Sequence, residues 1–451
     1  MLFRSPRDYR NQYINRLNQN LKLSAGISYN WAFRNISLQP EYNYAYSYIK
    51  TDNPLYRLDK ISGRDSSLFD RLPSATSILA TVLDNGNTYH FTEYQNSHQF
   101  NFCYRDLHSK LLKCEISVNL PVRIAHANLY YQRMGRHDVS RQSIFFEPNI
   151  WLRSNAWEIK AKMISELPDL TTMVNYRDDS NPMNIILGNI QLRNIHYYDI
   201  EGGKTFEGKK HSRLNINMGY HQTDNAVAYS LVFDKQTGVS TVQPISVNGN
   251  YRIDLGIGYT RPLDKKEKLS IDNQASFNYN HNVDMAMVQG ATQSQRSIVN
   301  NWKISDVLKL NYRLDDNYEF TLHGGGTYYL IKSQREGFNN IHAGDYNIGV
   351  NVQVALPWKL QLTTDLTMFA RRGYQLSEMN TTDWIWNTQL SRSFINKKLL
   401  VKLQGFDILR QLSNTQYLMN AQGRTETWNN SIPRYMMLSL SWRFNVNPKK
   451  K

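Results

Sequence analysis

Residues 432–444 read IPRYMMLSLSWRF, and this stretch decides the fold. In an extended chain successive side chains point to opposite sides, so its residues divide into two sets. One side holds Met436, Leu438, Leu440, Trp442 and Phe444, and the other holds Met437, Ser439, Ser441 and Arg443. The segment therefore predicts a β-strand with one apolar and one polar face, which ends on an aromatic residue near the C-terminus.

The same period of two recurs along almost the whole chain. Clear examples are residues 21–33, 251–259, 308–314 and 346–356. Their apolar sets often begin or end on Tyr, Trp or Phe, as the aromatic girdles of membrane barrels do. The segments are long enough to cross a bilayer as tilted strands. We predict an all-β fold, a transmembrane antiparallel β-barrel with about seventeen strands in this chain.

The predicted connections alternate in length. Short ones fall at 34–35, 107–110, 154–155, 208–211, 263–266, 315–316, 357–358 and 396–397, and longer ones near 52–90, 132–142, 168–194, 233–241, 282–295, 332–343, 372–382 and 409–431. Outer-membrane barrels combine short periplasmic turns with long extracellular loops in this way. One domain is predicted over residues 1–451, with 1–18 as a lead-in and 446–451 as a basic tail.

An odd strand number does not suit closure, because single-chain bacterial barrels have an even number of strands and sealed edges. The N-terminal segment MLFRSPRDYRNQYINR is basic and lacks the apolar core of an export signal. Both observations lead us to expect that the chain is part of a longer protein.

Composition restricts the function classes. The chain has 29 Tyr, 9 Trp and 17 Phe, and Lys and Arg exceed Asp and Glu by 15. The charge is spread out and accompanies no zinc spacing or aromatic RNA-binding motif, so we expect no nucleic-acid partner. There is no G-x-S-x-G or H-E-x-x-H motif, so we expect neither an enzyme nor a metal site nor a cofactor. The Asp178-Asp179 pair is better explained by turn formation than by cation binding.

Cys103 and Cys114 flank a predicted turn, and a cross-strand disulfide is conceivable. The alternation places Cys103 on the polar face and Cys114 on the apolar face. Directly opposed residues must share a face, so the pattern disfavours the bond without excluding it.

One segment resembles a known family. Residues 179–184 read DSNPMN, 187–189 read LGN, and Leu192 follows. They resemble the D-S-N-P-L … G-N-P-x-L-x-P-E stretch of TonB-dependent outer-membrane receptors, in the subgroup called outer-membrane β-barrel family protein. The chain departs from it at Ile190, where Pro is usual, and at 193–194. Residues 372–374, 386–394, 406–409 and the last strand resemble the C-terminal strands of the same family.

The resemblance implies a 22-stranded barrel that takes up a scarce ligand with energy transmitted by TonB. It implies partners in outer-membrane lipid and in the barrel assembly machinery, with TonB reached only through an N-terminal region that has no counterpart here. Loops 52–90, 168–194 and 409–431 would contact the unidentified ligand. Residues Asp179, Asn181, Pro182, Gly188 and Asn189 would be structural, and the last strand would carry the assembly signal. The alternation itself predicts that Leu438, Leu440, Trp442 and Phe444 of that strand face lipid and that Arg443 faces the lumen. The alternatives are a plugless diffusion channel, a structural or adhesion barrel, and a soluble all-β protein that binds carbohydrate.

Overall fold

The structure is a computed structural model that describes residues 11–61, 72–73, 76–109, 112–287, 290–396, 398–413, 415–420, 423–429 and 432–444. Almost all of its regular structure is β-strand. The predicted basic tail, 446–451, and most of the predicted lead-in lie outside the described residues. Within them the first long strand already begins at Leu17.

The strands are, in chain order, β1 (Gln12–Ile14), β2 (Leu17–Ser28), β3 (Trp31–Phe33), β4 (Ile36–Asn53), β5 (Leu55–Arg57), β6 (Tyr89–Asp106), β7 (Glu115–Asn119), β8 (Val122–Gln132), β9 (Val139–Phe146), β10 (Asn149–Arg153), β11 (Trp157–Glu166), β12 (Arg177–Asp178), β13 (Asn184–Leu187), β14 (Ile195–Glu207), β15 (Arg213–Asp224), β16 (Ala226–Phe233), β17 (Ser240–Val247), β18 (Asn250–Pro262), β19 (Leu269–Ala286), β20 (Gln295–Asp315), β21 (Tyr318–Ser333), β22 (Ile341–Leu356), β23 (Leu360–Arg372), β24 (Thr382–Phe394), β25 (Leu399–Phe406), β26 (Thr415–Asn420), β27 (Gly423–Trp428) and β28 (Tyr435–Trp442). The α-helices of the described residues are α1 (Thr76–Thr81) and α2 (Leu170–Met173), with 3-10 turns at Leu58–Lys60, Pro357–Lys359 and Ser377–Met379. None of these helices is long and apolar enough to span a membrane.

Twenty of the strands form one antiparallel sheet, which we call the wall. Three pairs of them are single strands with a break: β2 with β3, β7 with β8, and β9 with β10. Both β2 and β3 pair with β4, and both β7 and β8 pair with β6. Strands β9 and β10 pair with β8 and β7, the two parts of one broken strand. Pro121 and Pro148 lie at two of the breaks, where the missing N–H interrupts the ladder. The wall thus has seventeen continuous strands, each antiparallel to the next in the chain, and the predicted all-β antiparallel fold is confirmed.

The register gives the wall two unlike faces, because directly opposed residues share a face. One unbroken cross-strand row runs Leu438, Leu403, Leu390, Leu362, Val354. The neighbouring row, on the other face, runs Ser439, Lys402, Ser391, Gln361. We call these the apolar face and the polar face. The apolar face is strongly exposed, as at Leu438 (64%) and Leu440 (67%).

In the middle of β20, one carboxylate departs from this segregation. Asp306 on β20 shares the apolar face with Ile304 and Leu308, halfway between Trp302 and Tyr312. Its Oδ1 accepts a hydrogen bond from Asn273 Nδ2 at 2.7 Å. On β21 its direct partner is Gly326, which contributes no side chain to cover it.

One end of the wall, which we call the short end, holds connections of two to eight residues. They are 34–35, 107–114, 154–156, 208–212, 263–268, 316–317, 357–359 and 395–398, close to the predicted positions. The connections at the opposite, long end are 54–88, 133–138, 167–194, 225–249, 287–294, 334–340, 373–381 and 407–434. The loop placed by sequence at 233–241 is wrong in extent. Strands β16 and β17 leave the wall there, so the connection runs from 225 to 249.

The wall has two open edges within the described part of the chain. There β2 pairs only with β4, and β28 pairs only with β25. The sheet is therefore a wall that is not closed by pairing between its first and last strands.

Candidate functional site

Two connections at the long end fold into one structure, the loop layer, formed by residues 167–194 and 225–249. Strands β12, β13, β17 and β16 make a four-stranded sheet in that order. Strand β13 pairs with β17 in parallel, through Asn184–Ile186 and Ser240–Val242. The layer thereby joins two connections that start from different wall strands.

The loop layer packs onto the polar face of the wall. The main apolar core of the described residues lies at this contact and holds side chains from both sides. The wall contributes Phe91, Ala127, Leu129, Tyr131 and Val139, and the layer contributes Leu170, Met173, Val174 and Leu192. Because Leu129, Met173 and Leu192 are at most 1% exposed, this contact holds the layer in a fixed position over the wall.

The motif residues predicted from sequence lie in the loop layer, where they form its turns and joints. Asp179 and Pro182 lie between β12 and β13, and Asn181 Oδ1 accepts a hydrogen bond from Met183 N at 3.1 Å. A Cβ on Gly188 would lie 1.7 Å from the Val174 carbonyl oxygen, so only glycine fits this close approach.

Asn189 connects the two halves of the layer. Its Nδ2 donates to the Pro244 carbonyl oxygen at 2.8 Å, and its backbone N–H donates to the Thr172 carbonyl oxygen at 2.9 Å. Gln243 Nε2 donates to the Gly188 carbonyl oxygen from the other side at 3.2 Å. The Gly188-Asn189 step is therefore bonded to both connections.

A buried arginine that the sequence reasoning missed fixes the layer to its neighbours. The Arg133 side chain is 1% exposed, and its Nη2 lies 3.1 Å from Asp178 Oδ1. The same guanidinium donates to the Gly86 carbonyl oxygen at 2.9 Å and to Asn87 Oδ1, and it lies 4.3 Å from the Tyr176 ring centroid. No sequence motif indicates this cluster, because its residues come from three separate connections.

The same contacts decide the role of Asp178. Burial raises the pKa of its carboxyl, but hydrogen bonds from Arg133 and Ser180 together with the Arg133 charge outweigh burial, and the pKa lies below its ordinary value. The carboxylate is thus engaged in an ion pair with the buried Arg133 guanidinium, which agrees with a structural role.

A cleft of about 640 Å³ lies between the loop layer and strands β2, β4, β6 and β8. Glu93 and Thr51 line its wall side, Asp169 and Tyr176 line its layer side, and Tyr131 lies between them. The cleft can bind a polar ligand through hydroxyl and carboxylate groups. Of the three predicted ligand loops, 168–194 lines it directly, whereas 52–90 reaches it only through Tyr89. Parts of 409–431 lie outside the described residues.

In the long-end halves of β14, β15 and β18, the polar face carries a network of mixed charge. His221 Nδ1 lies 2.6 Å from Asp199 Oδ1, and its Nε2 lies 3.3 Å from Asp254 Oδ2. Lys162 and Arg252 complete the network at 3.3 and 2.6 Å from the same two carboxylates. A wall of alternating charge such as this suits contact with water or with a polar chain, and no member was foreseen as a site residue.

The remaining predicted residues lie apart from the loop layer. Strand β28, with Leu438, Leu440 and Trp442, forms one edge of the wall, and Phe444 follows it. Their side chains are exposed, and their contact with lipid stays a prediction. Cys103 and Cys114 are both free, and Cys114 is buried.

Comparison with known proteins adds little. No protein-family model matches the chain, and no curated protein matches it. Among solved structures, a chain described as "Copper transporter OprC" is similar at 8% identity and a TM-score of 0.35, over 98% of this chain and 82% of that one. Likeness at that TM-score carries no argument about ligand or mechanism.

Proposed function

We propose that this chain forms the wall and the extracellular loops of an outer-membrane receptor of the TonB-dependent type, which takes up a scarce ligand into Gram-negative cells. The observation that carries the proposal is the two-faced wall. Seventeen strands present an exposed apolar face, a polar face and connections that are short at one end and folded at the other. In water, an apolar surface of this extent would favour aggregation.

Strand length and side-chain pattern support the proposed membrane position. A tilted strand crosses the hydrocarbon with about 9–11 residues, and most continuous wall strands reach or exceed that length. On β18, Tyr251 and Tyr259 bracket Ile253, Leu255 and Ile257 on the apolar face. This order, aromatic, aliphatic, aromatic, matches the girdles and central band of an outer-membrane barrel. The apolar face then contacts lipid, and the polar face lines the lumen.

The receptor class is supported by the loop layer. The residues that resemble the family motif make the turns and joints of that layer, and the layer lies over the lumenal side of the wall. In this proposal the partners are outer-membrane lipid, the barrel assembly machinery and, through an N-terminal region outside this chain, TonB. The chain binds and passes its ligand without chemical change, so it is not an enzyme.

A diffusion channel is the second candidate, and the charge network around His221 favours it. Mixed charges along a lumen wall are typical of water-filled pores. The two candidates differ in their energy requirement, because a receptor needs the proton-motive force and a channel does not.

The test is cell fractionation followed by uptake. A strain that carries the complete gene is compared with its deletion strain for accumulation of radiolabelled metal chelates, cofactors and oligosaccharides, with and without a protonophore. We expect the product in the outer membrane and saturable uptake of one solute that the protonophore abolishes. Uptake that is insensitive to the protonophore would support the channel, and a soluble product would exclude both candidates.

A further inference from the structure

A second cavity lies beneath the β16–β17 hairpin and differs in chemistry from the cleft described above. It has a volume of about 470 Å³ and lies between the hairpin and the long-end parts of β19, β20 and β21. Most of its surface is aliphatic. The lining side chains of this kind are Ala226, Val227, Ala228, Val247, Val283, Met285, Ala286, Val299 and Ile331.

Two polar atoms in this lining have no hydrogen-bond partner among the residues that the structure describes. They are Ser297 Oγ and Asn301 Oδ1, both on β20. Ser297 is 7% exposed, so bulk water has little access to its hydroxyl. Leaving a buried polar group unsatisfied is costly, and such groups are rare in native proteins. A molecule inside the cavity would give both atoms a partner.

The spacing of the two atoms restricts the shape of that molecule. Ser297, Val299 and Asn301 share one face of β20, with the buried Val299 in the middle. At about 3.3 Å per residue, the Cα atoms of Ser297 and Asn301 are roughly 13 Å apart. A molecule that reaches both must be elongated, with an apolar middle over Val299 and a polar group at each end.

The two atoms without a partner determine which chemical groups the ends of the ligand carry. An amide oxygen only accepts, so the group at Asn301 must donate, whereas a serine hydroxyl can donate or accept. One acidic and one basic residue, Asp284 and Arg335, lie among the lining residues, so the cavity favours neither sign of charge. The ligand is therefore uncharged, with a hydroxyl or similar donor at the Asn301 end.

We infer that this cavity is a binding site for an elongated, uncharged amphipathic molecule with hydrogen-bonding groups at both ends. The inference rests on the proposed function, because it names a ligand class for the lumenal side of the loop layer. Pockets of this size with aliphatic walls and a few placed polar groups are typical of small-molecule sites.

The test uses 1,10-decanediol as the probe and 1-decanol, which lacks the second hydroxyl, as its comparison. The full chain is reconstituted in lipid nanodiscs, and binding of radiolabelled probe is measured by equilibrium dialysis with empty nanodiscs subtracted. We expect the diol to bind roughly 2- to 10-fold more tightly than the alcohol, as one additional hydrogen bond implies. Equal binding of the two probes, or none above empty nanodiscs, would overturn the inference.

Variants separate a ligand site from a merely structural hydroxyl. Ser297→Ala should weaken diol binding to the level of the alcohol and raise the thermal unfolding midpoint, because an unsatisfied group is removed. Asn301→Leu should act in the same direction. Ser305→Ala is the matched control on the same face of β20; its Oγ is bonded to Thr327 Oγ1 at 3.0 Å, and its loss should not change diol binding.

A lower midpoint for Ser297→Ala, or unchanged diol binding, would show that the hydroxyl is satisfied within the folded protein, by water or by a neighbour, and would refute the site. Binding is read without transport, so the two proposals fail separately. Diol binding without energised uptake would contradict only the receptor, and energised uptake without diol binding would contradict only this site.

Discussion

At the scale of single residues, Asp306 is the clearest departure from the pattern of the wall. If the apolar face contacts lipid as proposed, a carboxylate between Trp302 and Tyr312 is unfavourable there, although less so than the roughly 2–4 kcal/mol of a basic residue. Among the described residues, its side chain is hydrogen-bonded to the neutral amide of Asn273. Because an ionisable side chain is costly at such a position, Asp306 is better explained by a function or a protein contact than by a structural role.

We predict that Asp306→Leu increases the free energy of unfolding of the lipid-embedded chain, as measured by urea titration in vesicles. The control is Asp272→Leu, one strand away on the polar face, where Asp272 Oδ2 accepts a hydrogen bond from Thr260 at 3.0 Å. That variant should give no increase. A loss of stability in Asp306→Leu would show that the carboxylate is not in hydrocarbon.

Asp178 supports a second prediction at this scale, which concerns pH. Because its folded pKa lies below the ordinary value of 3.8, the ion pair with Arg133 stabilises the loop layer above that pH. The stabilisation is lost as the pH falls through the lower, folded value. We expect pepsin to cleave the layer progressively faster over that range in the wild type.

When the rates are divided by those of pepsin on an unstructured peptide at the same pH, this pH dependence should disappear in Asp178→Asn, because no proton is taken up at that position. Asp264→Asn, in a short-end turn, serves as the control and should keep the wild-type profile for the layer. An Asp178→Asn variant with the wild-type pH profile would locate the titrating group elsewhere.

At the scale of elements, strand β28 shows how one residue of register decides the environment of a side chain. Leu440 and Ser439 are adjacent in sequence but lie on opposite faces, opposite Val401 and Lys402 of β25. We predict that Leu440→Arg reduces stability by about 2–4 kcal/mol if it lies near the midplane, and that Ser439→Arg changes it little. The measurement is again unfolding in vesicles, and equal losses in both variants would mean that β28 does not face lipid.

The elements also show what the sequence can and cannot predict. The wall strands were predictable because the period of two and the short turns are local signals, visible within about ten residues. The β16–β17 hairpin carries the same period, so sequence placed its strands in the wall and made the loop too short. Its departure depends on β13, a partner about fifty residues away in sequence, with which it pairs in parallel.

The candidate site was less predictable for the same reason. The resemblance identified Gly188 and Asn189, which act through local turns and close approaches. It could not identify Arg133, whose partners Gly86 and Asp178 are about forty-five residues away on either side. The Ser297 and Asn301 cavity was equally hidden, because an unsatisfied atom is recognisable only when its surroundings are known.

At the scale of the whole molecule, the two open edges matter most. In lipid each unpaired backbone group costs several kcal/mol, so a stable wall needs partners for β2 and β28. If the chain inserts alone, we predict faster amide hydrogen exchange in β2 and β28 than in the central strands β19 and β20. Protection of the edge strands equal to that of the central strands would show that the wall closes by itself.

The parallel pairing of β13 with β17 also restricts how the two connections can change during evolution. Two surface connections that share backbone hydrogen bonds cannot diverge independently in length or course. A hybrid that took residues 225–249 from a parent whose connection differs in length or course would leave β13 with an unmatched edge and Asn189 without its carbonyl acceptor. At this end of the molecule the smallest exchangeable segment is therefore the pair, and recombination between natural variants should preserve both connections or neither.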